Sequence, residues 1–421
     1  MQYYHAHKVI PERCRGHMAC MRCCPTQAIR IRNGRASILE ELCVDCGACI
    51  AACRSGAIVP ITDPMADISL FKYTVVVPSS VLYAQFDPSI HPYVIHRALK
   101  GIGFDEVVDT GESCAMVAKA YVRYLRMHRG RLPLISSECP AMLRLIQVRY
   151  PDLVELIAPL DVPREITARE LRKNLPAKLG IKPEHIGIFY VSPCPAKIVS
   201  IRQPAEKSRS WFDGAISMKD TYAALFPRVI AEMKTFDESQ VPADYTFNGG
   251  WATLGGITRV AEMDSWLAVS GWDHVMRIMD DIENSRLRNV DLVEALACML
   301  GCIGGNFNVE NPYVTRANSI KQRARYERPM EFDDREIDRK LEAGYFFMEN
   351  LLLPRPTAYF DTDLETSIKR MKEREIVYRK LPQIDCGCCG APSCMSFAED
   401  FVRGDAKLTD CILFTQKSGE G

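Results

Sequence analysis

Cysteines are the residues of this chain whose type and spacing most clearly predict chemistry. Most of the 18 fall into short, closely spaced groups, and thiolates at such spacings are metal ligands. Clustered cysteines form disulfides in secreted proteins, but the N-terminal residues MQYYHAHKVI lack the apolar stretch of a signal peptide. We therefore predict a metal-binding redox protein of the reducing cytoplasm.

The clearest group has the spacing Cys43-x2-Cys46-x2-Cys49-x3-Cys53. This is the pattern of bacterial ferredoxins, in which three thiolates hold one [4Fe-4S] cluster and the fourth binds a second cluster. Gly47 relieves the turn between these ligands. The pattern predicts a ferredoxin-like domain over residues 1–62 that carries two clusters.

The preceding run nearly repeats that spacing, with a histidine in the place of the second cysteine. It reads Cys14-x2-His17-x2-Cys20-x3-Cys24. If His17 is a ligand, a neutral imidazole replaces a thiolate and raises the reduction potential of the cluster, as in Rieske centres. In the alternative, His17 lies at the surface, and either Cys23 takes its place or a three-iron cluster forms.

Ferredoxin spacing also predicts that each cluster takes one ligand from the other run. One cluster is expected on Cys14, His17, Cys20 and Cys53, and the other on Cys43, Cys46, Cys49 and Cys24. Two histidines ahead of the first run, His5 and His7, are expected in a solvated tail. Cys114 and Trp251 are expected in the core.

Three later segments carry more widely spaced cysteines: SSECPAML with Cys139, YVSPCPAK with Cys194, and ACMLGCIGG with Cys298 and Cys302. Cys139 and Cys194 directly follow apolar, strand-like runs, and α/β sheets place their sites at the carboxyl ends of parallel strands. Each cysteine alone would be interpreted as a buried structural residue. Together, the four can bind one cubane.

These segments, in this order, resemble the signature of iron-only hydrogenases, and the resemblance covers about residues 63–345. The matching stretches are Glu138-Cys139-Pro140, Pro193-Cys194-Pro195-Ala196-Lys197, and Glu294 with Cys298-x3-Cys302 followed by glycines. The resemblance implies reversible H2 oxidation and proton reduction at an H-cluster. That cofactor is a [4Fe-4S] cubane on Cys139, Cys194, Cys298 and Cys302, joined through Cys302 to a [2Fe] subcluster that carries CO and cyanide.

The same resemblance implies roles for further residues and shows where this sequence differs from the family. Lys197 matches the lysine that bonds a cyanide ligand, whereas an ordinary lysine there would be solvated. Glu138 replaces the family's proton-shuttling thiol, and it can relay protons if desolvation raises its pKa toward neutrality. Ala118, Tyr121 and Ala158 stand where the family has two glutamates and a serine. These changes fit a slow, sensory branch of the family better than a high-rate enzyme.

The C-terminal residues contain another cysteine group, which reads Cys386-x2-Cys389-x4-Cys394-x16-Cys411. It resembles the small four-cysteine domain of corrinoid-protein and ion-translocating redox complexes. The resemblance implies one more [4Fe-4S] cluster, in a domain at residues 362–421. Cys388 is an extra thiol that could exchange roles with a neighbouring cysteine.

Strand-like and helical runs alternate from residue 63 to 355, and these elements must position the central cysteines. This alternation predicts an α/β fold, and the resemblance implies two mostly parallel sheets flanked by helices. Strands are expected at Lys72–Val77, Leu132–Ser136 and Ile186–Val191, and helices at Ala115–Met127, Ala141–Arg149 and Glu165–Asn174. The proline-containing stretch LLLPRPTAYFD at 351–361 is expected to be a linker.

Composition excludes several other classes of function. Basic and acidic residues number 53 each, so charge gives no reason to expect nucleic acid or acidic lipid as a partner. Apolar runs such as Tyr73–Ala84 are too short to span a bilayer. We predict an iron–sulfur oxidoreductase that acts on H2 and protons with an electron-carrier or signalling partner, after assembly by hydrogenase maturation proteins. The alternative is an electron-transfer or iron–sulfur assembly protein without the two-iron unit.

Overall fold

The computed structural model describes residues 3–128, 130–243, 245, 247, 249–261, 263–328, 330, 332–355 and 363–417. The chain forms two compact units, and both chain ends belong to the same one. The terminal unit contains Met1–Ile61 and Pro354–Gly421, and the central unit is Thr62–Leu353. Most of the predicted linker, residues 356–361, lies outside the described residues.

The longest of the described strands lie in the central unit, which also contains the two shortest. The strands are β1 His7–Val9, β2 Ile29–Arg32, β3 Arg35–Ile38, β4 Ile58–Pro60, β5 Tyr73–Pro78, β6 Glu106–Val107, β7 Leu134–Ile135, β8 Ile186–Ser192, β9 Gly214–Ser217, β10 Trp266–Ser270 and β11 Leu292–Leu296.

Helices connect the strands and cover the sheets. They are α1 Ala19–Arg22, α2 Ala48–Ala52, α3 Pro92–Gly101, α4 Gly111–Met127, α5 Pro140–Arg149, α6 Pro163–Leu179, α7 Pro195–Arg202, α8 Met218–Met233, α9 Gly256–Ala261, α10 Trp272–Glu283, α11 Pro312–Tyr326, α12 Asp334–Glu342, α13 Leu364–Lys380, α14 Cys394–Arg403 and α15 Ile412–Lys417. Among the described residues, no helix combines the length and the apolar character that crossing a bilayer requires.

Two parallel sheets form the framework of the central unit. One has the strand order β6-β5-β8-β9, the other has the order β10-β11-β7, and every pairing within them is parallel. Strand β8, with the sequence IGIFYVS, is buried along its whole length, as expected when helices cover both faces of a parallel sheet. The predicted α/β architecture with mostly parallel sheets is confirmed.

The terminal unit is built from two small antiparallel pairs, β2 with β3 and β1 with β4. Its N-terminal core consists of apolar side chains mixed with cysteines, namely Cys20, Met21, Ile29, Ile31, Cys49 and Ile58. The C-terminal part has a core of its own around Phe397, packed among Val377, Leu381, Ala391, Ala398, Ala406 and Cys411. Both cores therefore surround cysteine groups.

Candidate functional site

The central cysteines lie where strands of both sheets end. Cys139 follows β7 and is the N-cap residue of α5, and Cys194 follows β8 and is the N-cap residue of α7. Proline is the next residue in both cases, at the first helical position, where its missing N–H costs no hydrogen bond. A helix N-terminus stabilises a nearby thiolate, so both cysteines are well placed to act as anionic ligands.

The loop that follows β11 brings the third motif against the second. The Phe307 amide donates a hydrogen bond to the Pro193 carbonyl at 3.0 Å. Gly305 packs so closely that a Cβ atom there would lie 2.5 Å from the same Pro193 oxygen. Only glycine permits this approach, which sets the loop carrying Cys302 directly beside the residue that precedes Cys194.

Electrostatic coupling shows that these cysteines share one environment. Burial is the largest influence on the Cys302 thiol and raises its pKa, Lys197 lowers it, and Glu138, Cys194 and Cys139 raise it, which together give a pKa of about 12. Three of the four predicted ligands are thus neighbours.

The fourth predicted ligand, Cys298, lies in the turn just before Cys302. In that turn the Cys298 carbonyl accepts a 3.1 Å hydrogen bond from the Gly301 amide.

Glu138 and Lys197, predicted from different motifs, form a buried ion pair. Their Oε1 and Nζ atoms are 2.8 Å apart, and the side chains are 8% and 4% exposed. Burial opposes the charge on Lys197, but Cys302 and Glu138 favour it and hold the pKa of the lysine well above its ordinary value. Lys197 is therefore not the solvated lysine of the alternative interpretation.

Glu138 does not meet the condition for a proton relay, which was a pKa raised toward neutrality. Desolvation does raise it, but the cations Lys197 and Arg164 outweigh burial, so the pKa of Glu138 lies below its ordinary value. Glu138 is thus a carboxylate, and it lacks the near-neutral pKa on which its predicted part in a proton relay depended.

A small polar cavity lies beside this ion pair. Its walls include Glu138, Arg164, Tyr190, Lys197 and Trp251. Arg164 Nη1 lies 3.9 Å from Glu138 Oε1, and Trp251 interacts with the same carboxylate and helps to lower its pKa. Arg164 Nε makes no hydrogen bond within the described residues. Two cations and one carboxylate leave the cavity with a net positive charge, so its unused N–H group suits an anionic ligand.

Sequence reasoning missed Arg164 and assigned Trp251 only to the core. Arg164 is the second residue of α6 and is 4% exposed. Its Nη2 donates to Ser200 Oγ at 3.0 Å, which holds the guanidinium in place. An arginine near a helix start, in a chain with 53 basic residues, carries no sequence signal that separates it from surface arginines.

In the terminal unit, the two N-terminal runs line two separate cavities. Cys14, His17, Cys20 and Cys53 lie in the walls of the first, and Cys24, Cys43, Cys46 and Cys49 lie in the walls of the second. Each cavity thus combines residues from both runs, in the grouping that the spacing predicts. Matching backbone contacts support the repeat, since the Ala28 amide lies 3.3 Å from Cys24 Sγ and the Ala57 amide 3.2 Å from Cys53 Sγ.

His17 is exposed but forms part of the wall of the first cavity. Cys23, its rival as a ligand, is in the wall of neither cavity as far as the chain is described. Its Sγ donates to the Cys20 carbonyl at 3.3 Å, and burial raises its pKa to about 11.

The expectation that His5 and His7 belong to a solvated tail is wrong. His7 opens β1 and is 5% exposed, and its Nδ1 lies 3.2 Å from the buried Asp45 carboxylate. Its Nε2 is 3.8 Å from Cys43 Sγ. His5 Nδ1 lies 2.9 Å from the same carboxylate. Strand pairing between β1 and β4 buries this segment, and no local sequence signal indicates that pairing.

The C-terminal cysteines line a cavity of their own. Its walls contain Cys386, Cys388, Cys389, Cys394 and Cys411. Cys388 is exposed, whereas Cys411 is buried. The Cys394 amide, at the start of α14, donates to Asp385 Oδ1 at 2.6 Å and so fixes the loop.

The donor sets fit iron–sulfur clusters. Burial raises the pKa values of Cys43, Cys46 and Cys49 above the ordinary thiol value, and the neighbouring acidic groups raise them further. Grouped buried thiols of this kind ionise only when a cation compensates their charges, and cluster iron provides that compensation.

Comparisons with known families agree with these sites. The model of the iron only hydrogenase large subunit, C-terminal domain, matches residues 72–261. A 4Fe-4S dicluster domain model matches residues 7–54, and a putative Fe-S cluster model matches residues 381–413. The cluster domains and the hydrogenase match together support [4Fe-4S] clusters in this chain.

Two hydrogenases are among its relatives. The chain is 22% identical over 198 residues to the NADP-reducing hydrogenase subunit HndD of Solidesulfovibrio fructosivorans, a match covering 40% of this chain and 32% of that protein. It is 25% identical over 180 residues to iron hydrogenase 1 of Clostridium pasteurianum, covering 40% and 30%. The chain therefore spans about a third of the length of these relatives.

A shorter match concerns the C-terminal cysteine group. Over 34 residues the chain is 50% identical to the acetyl-CoA decarbonylase/synthase complex subunit gamma 2 of Methanosarcina mazei, a match covering 8% of this chain and 7% of that protein.

Among solved structures, a variant of [FeFe]-hydrogenase HydA1 from Chlamydomonas reinhardtii superimposes with a TM-score of 0.51 at 16% identity. The match covers 70% of this chain and 98% of that one. At this identity the likeness establishes the fold alone. The matched domain models, the hydrogenase relatives and this fold together support a divergent [FeFe]-hydrogenase-like protein.

Proposed function

We propose that this protein oxidises H2 and reduces protons reversibly and slowly, at a two-iron unit held beside Cys302, and that it acts as a hydrogen sensor or regulatory subunit. The observation that carries the proposal is the buried, positively charged cavity beside the central cysteines. Its Arg164 Nε donor makes no hydrogen bond within the described residues, and its two cations exceed its one carboxylate, so an anionic partner would relieve a costly unpaired buried donor.

Ligand assignments follow from the cysteine groups. The central cubane is proposed on Cys139, Cys194, Cys298 and Cys302, with Cys302 bridging to the [2Fe] subcluster. The terminal unit is proposed to hold its clusters on the cross-run sets that include His17, and on Cys386, Cys389, Cys394 and Cys411. The grouping of these residues around three cavities supports the terminal assignments.

The chain's own residues supply charge and orientation to the active centre. When bound, the two-iron unit supplies the chemistry of H–H bond cleavage. Lys197 is proposed to donate to a cyanide ligand with a hydrogen that Glu138 does not use, and Arg164 and Trp251 to donate to the remaining anionic or diatomic ligands. Burial of the whole group excludes bulk water.

Glu138 remains the proposed first carboxylate on the proton route because it lines the cavity. Its lowered pKa makes proton uptake unfavourable, in keeping with slow turnover. Ala118, Tyr121 and Ala158 are buried in an apolar core cluster, where the family has polar relay residues. A route interrupted in this way supports low turnover. A Glu138→Ala variant that reduces protons at an unchanged rate would remove Glu138 from the mechanism.

Infrared spectroscopy of maturated protein tests the proposal. CO and cyanide bands are expected, and Lys197→Met should shift the cyanide bands because their strongest donor is lost. Arg164→Gln and Trp251→Phe should produce smaller shifts. Protein that assembles all of its cubanes but shows no CO or cyanide bands after maturation would overturn the proposal.

A second candidate is an electron-transfer or iron–sulfur assembly protein that never acquires the two-iron unit. The apolar side chains at Ala118 and Ala158 favour it, because neither can carry a proton. The same infrared measurement separates the two candidates.

Partners and organisation complete the proposal. Because one relative is named an NADP-reducing hydrogenase subunit, we propose exchange of electrons with a carrier protein or with a redox or signalling subunit. We also propose assembly by hydrogenase maturation proteins in the cytoplasm. The division into functional domains at residues 1–62, 63–355 and 362–421 is retained as part of the proposal.

A further inference from the structure

The C-terminal cysteine loop packs directly on the wall of the first N-terminal cavity. The Ile31 side chain lines that cavity, and the Ile31 amide donates to the Gly390 carbonyl at 2.8 Å. Gly390 follows Cys389 and has φ of 80°. A Cβ atom at this position would overlap the Ile31 carbonyl, so the contact requires glycine. One residue of β2 therefore touches both cysteine sites.

A second contact joins the same two sites. Met21, which follows Cys20 in α1, places its Cε atom against Gly387, at 2.9 Å from where a Cβ atom would be. Gly387 follows Cys386. At the Ile31 contact, one residue separates the cavity that contains His17 from the C-terminal cysteine loop. Met21 lies in the N-terminal core beside Cys20, which lines the same cavity.

A buried ionic lock fixes this arrangement. Arg30 Nε lies 2.6 Å and Arg32 Nη2 2.7 Å from Asp400 Oδ2, and the side chains of Arg30 and Asp400 are 5% and 4% exposed. Arg32 also donates to the Cys389 carbonyl. Because Asp400 belongs to α14 and both arginines to β2, the lock connects residues 370 and 368 positions apart.

An amide side chain adds a further contact. Gln27 Oε1 accepts hydrogen bonds from Ser393 Oγ at 2.9 Å and from Ser396 Oγ at 2.6 Å. Both serines lie beside Cys394, at the start of α14. Buried charge pairs and satisfied polar contacts of this kind favour one arrangement over alternatives.

We infer that the C-terminal cluster is the direct redox neighbour of the cluster held by Cys14, His17, Cys20 and Cys53, which makes the terminal unit a three-cluster relay with the histidine-ligated cluster in the middle. In each step one electron passes from a reduced cluster to an oxidised neighbour, and no bond forms or breaks. The inference rests on the proposed ligand sets of the terminal unit and is independent of hydrogen chemistry.

Electron paramagnetic resonance of the reduced, cluster-loaded full chain tests the relay. Two neighbouring reduced clusters broaden each other's signals and relax each other faster, and a His17→Cys variant identifies the signal of the middle cluster. A Cys386→Ala/Cys389→Ala double variant, which lacks the C-terminal cluster, should narrow that signal and slow its relaxation. An unchanged middle-cluster signal in this variant would overturn the inference.

A matched pair of variants on α14 tests the docking contact itself. Asp400→Asn removes the lock, and we expect the magnetic interaction to be lost while iron content stays the same. Glu399→Gln, which breaks a half-exposed ion pair with Arg374 at 3.2 Å, should leave the interaction intact. Equal loss of the magnetic interaction in both variants would contradict the role assigned to Asp400. Missing infrared bands would defeat the hydrogenase proposal and leave these spectra unaffected.

Discussion

The terminal and central units bring their cysteines together in different ways. In the terminal unit, short loops such as that from Cys43 to Cys53 place several cysteines around one cavity. In the central unit, cysteines from Cys139 to Cys302 meet only because strands of two sheets end near one another. Local spacing therefore encodes the terminal sites, whereas long-range folding creates the central one.

The units also differ in how charge is balanced. The arginines in the wall of the first terminal cavity, Arg15 and Arg54, are exposed, and the second cavity has the buried pair His7 and Asp45. The central site contains Lys197, Arg164 and Glu138, all of them buried. Buried cations thus line the central cavity, as the small charged ligands proposed there require.

The largest effect is expected from removing one ligand of the central site, which should abolish the central cluster and leave the terminal clusters in place. Cys302→Ala should abolish the central cluster and every CO and cyanide band, because it removes the proposed bridging thiolate. The terminal clusters should still assemble, since their ligands all lie in the other unit. Iron analysis and resonance spectra of the variant measure both results. Loss of the terminal clusters as well would break the comparison between the two units.

Lys197→Met tests the buried charges of the central unit. It leaves the Glu138 carboxylate without its closest cation, and breaking a buried pair in this way destabilises a protein by about 3–5 kcal/mol. Chemical unfolding of the central unit measures the change. The double variant Lys197→Met/Glu138→Gln should recover part of the loss, because it removes the unpaired charge. A single variant as stable as the wild type would show that the pair is not buried in solution.

Glu294 should make the central unit sensitive to pH. It is 1% exposed and accepts hydrogen bonds from the Gly256, Ile257 and Thr258 amides. Burial is the largest influence on this carboxyl and raises its pKa from 4.5 to about 7.

A carboxyl whose folded pKa is raised contributes its stability fully below the unfolded pKa and loses it as pH rises through the folded pKa. Stability should therefore fall by about 3 kcal/mol between pH 4.5 and 7, at about 1.4 kcal/mol per pKa unit. In Glu294→Gln this fall should disappear, and thermal unfolding at several pH values measures the difference. Parallel curves for the two proteins would refute the assignment.

The smallest effect is expected on the surface of the terminal unit. Lys369 and Glu365 form an ion pair at 2.7 Å on α13, with side chains 71% and 77% exposed. Lys369→Ala should change stability by less than about 0.5 kcal/mol, because water screens exposed pairs. A loss of stability close to that of Lys197→Met would show that burial does not explain the difference between the ion pair on α13 and the one in the central unit.

Several features that sequence interpretation missed share a physical cause. His7 was expected in a solvated tail, yet it lies against Cys43. Trp251 lies in the core, as expected, but it also lines the charged cavity. Glu138 could relay protons only if burial raised its pKa, and Lys197 and Arg164 lower it instead. In each case the deciding neighbour lies far away in the sequence, so no local pattern could indicate it.

By itself, the sequence determined the cysteine groupings, the order of the three central motifs and the alternation that builds parallel sheets. These depend on short-range spacing and periodicity, which a chain carries locally. Only the tertiary structure decided that Glu138 pairs with Lys197, that Arg164 and Trp251 face the same cavity, and that the C-terminal loop packs on β2. Those features depend on which distant side chains burial brings together, and on which of their charges then compensate one another.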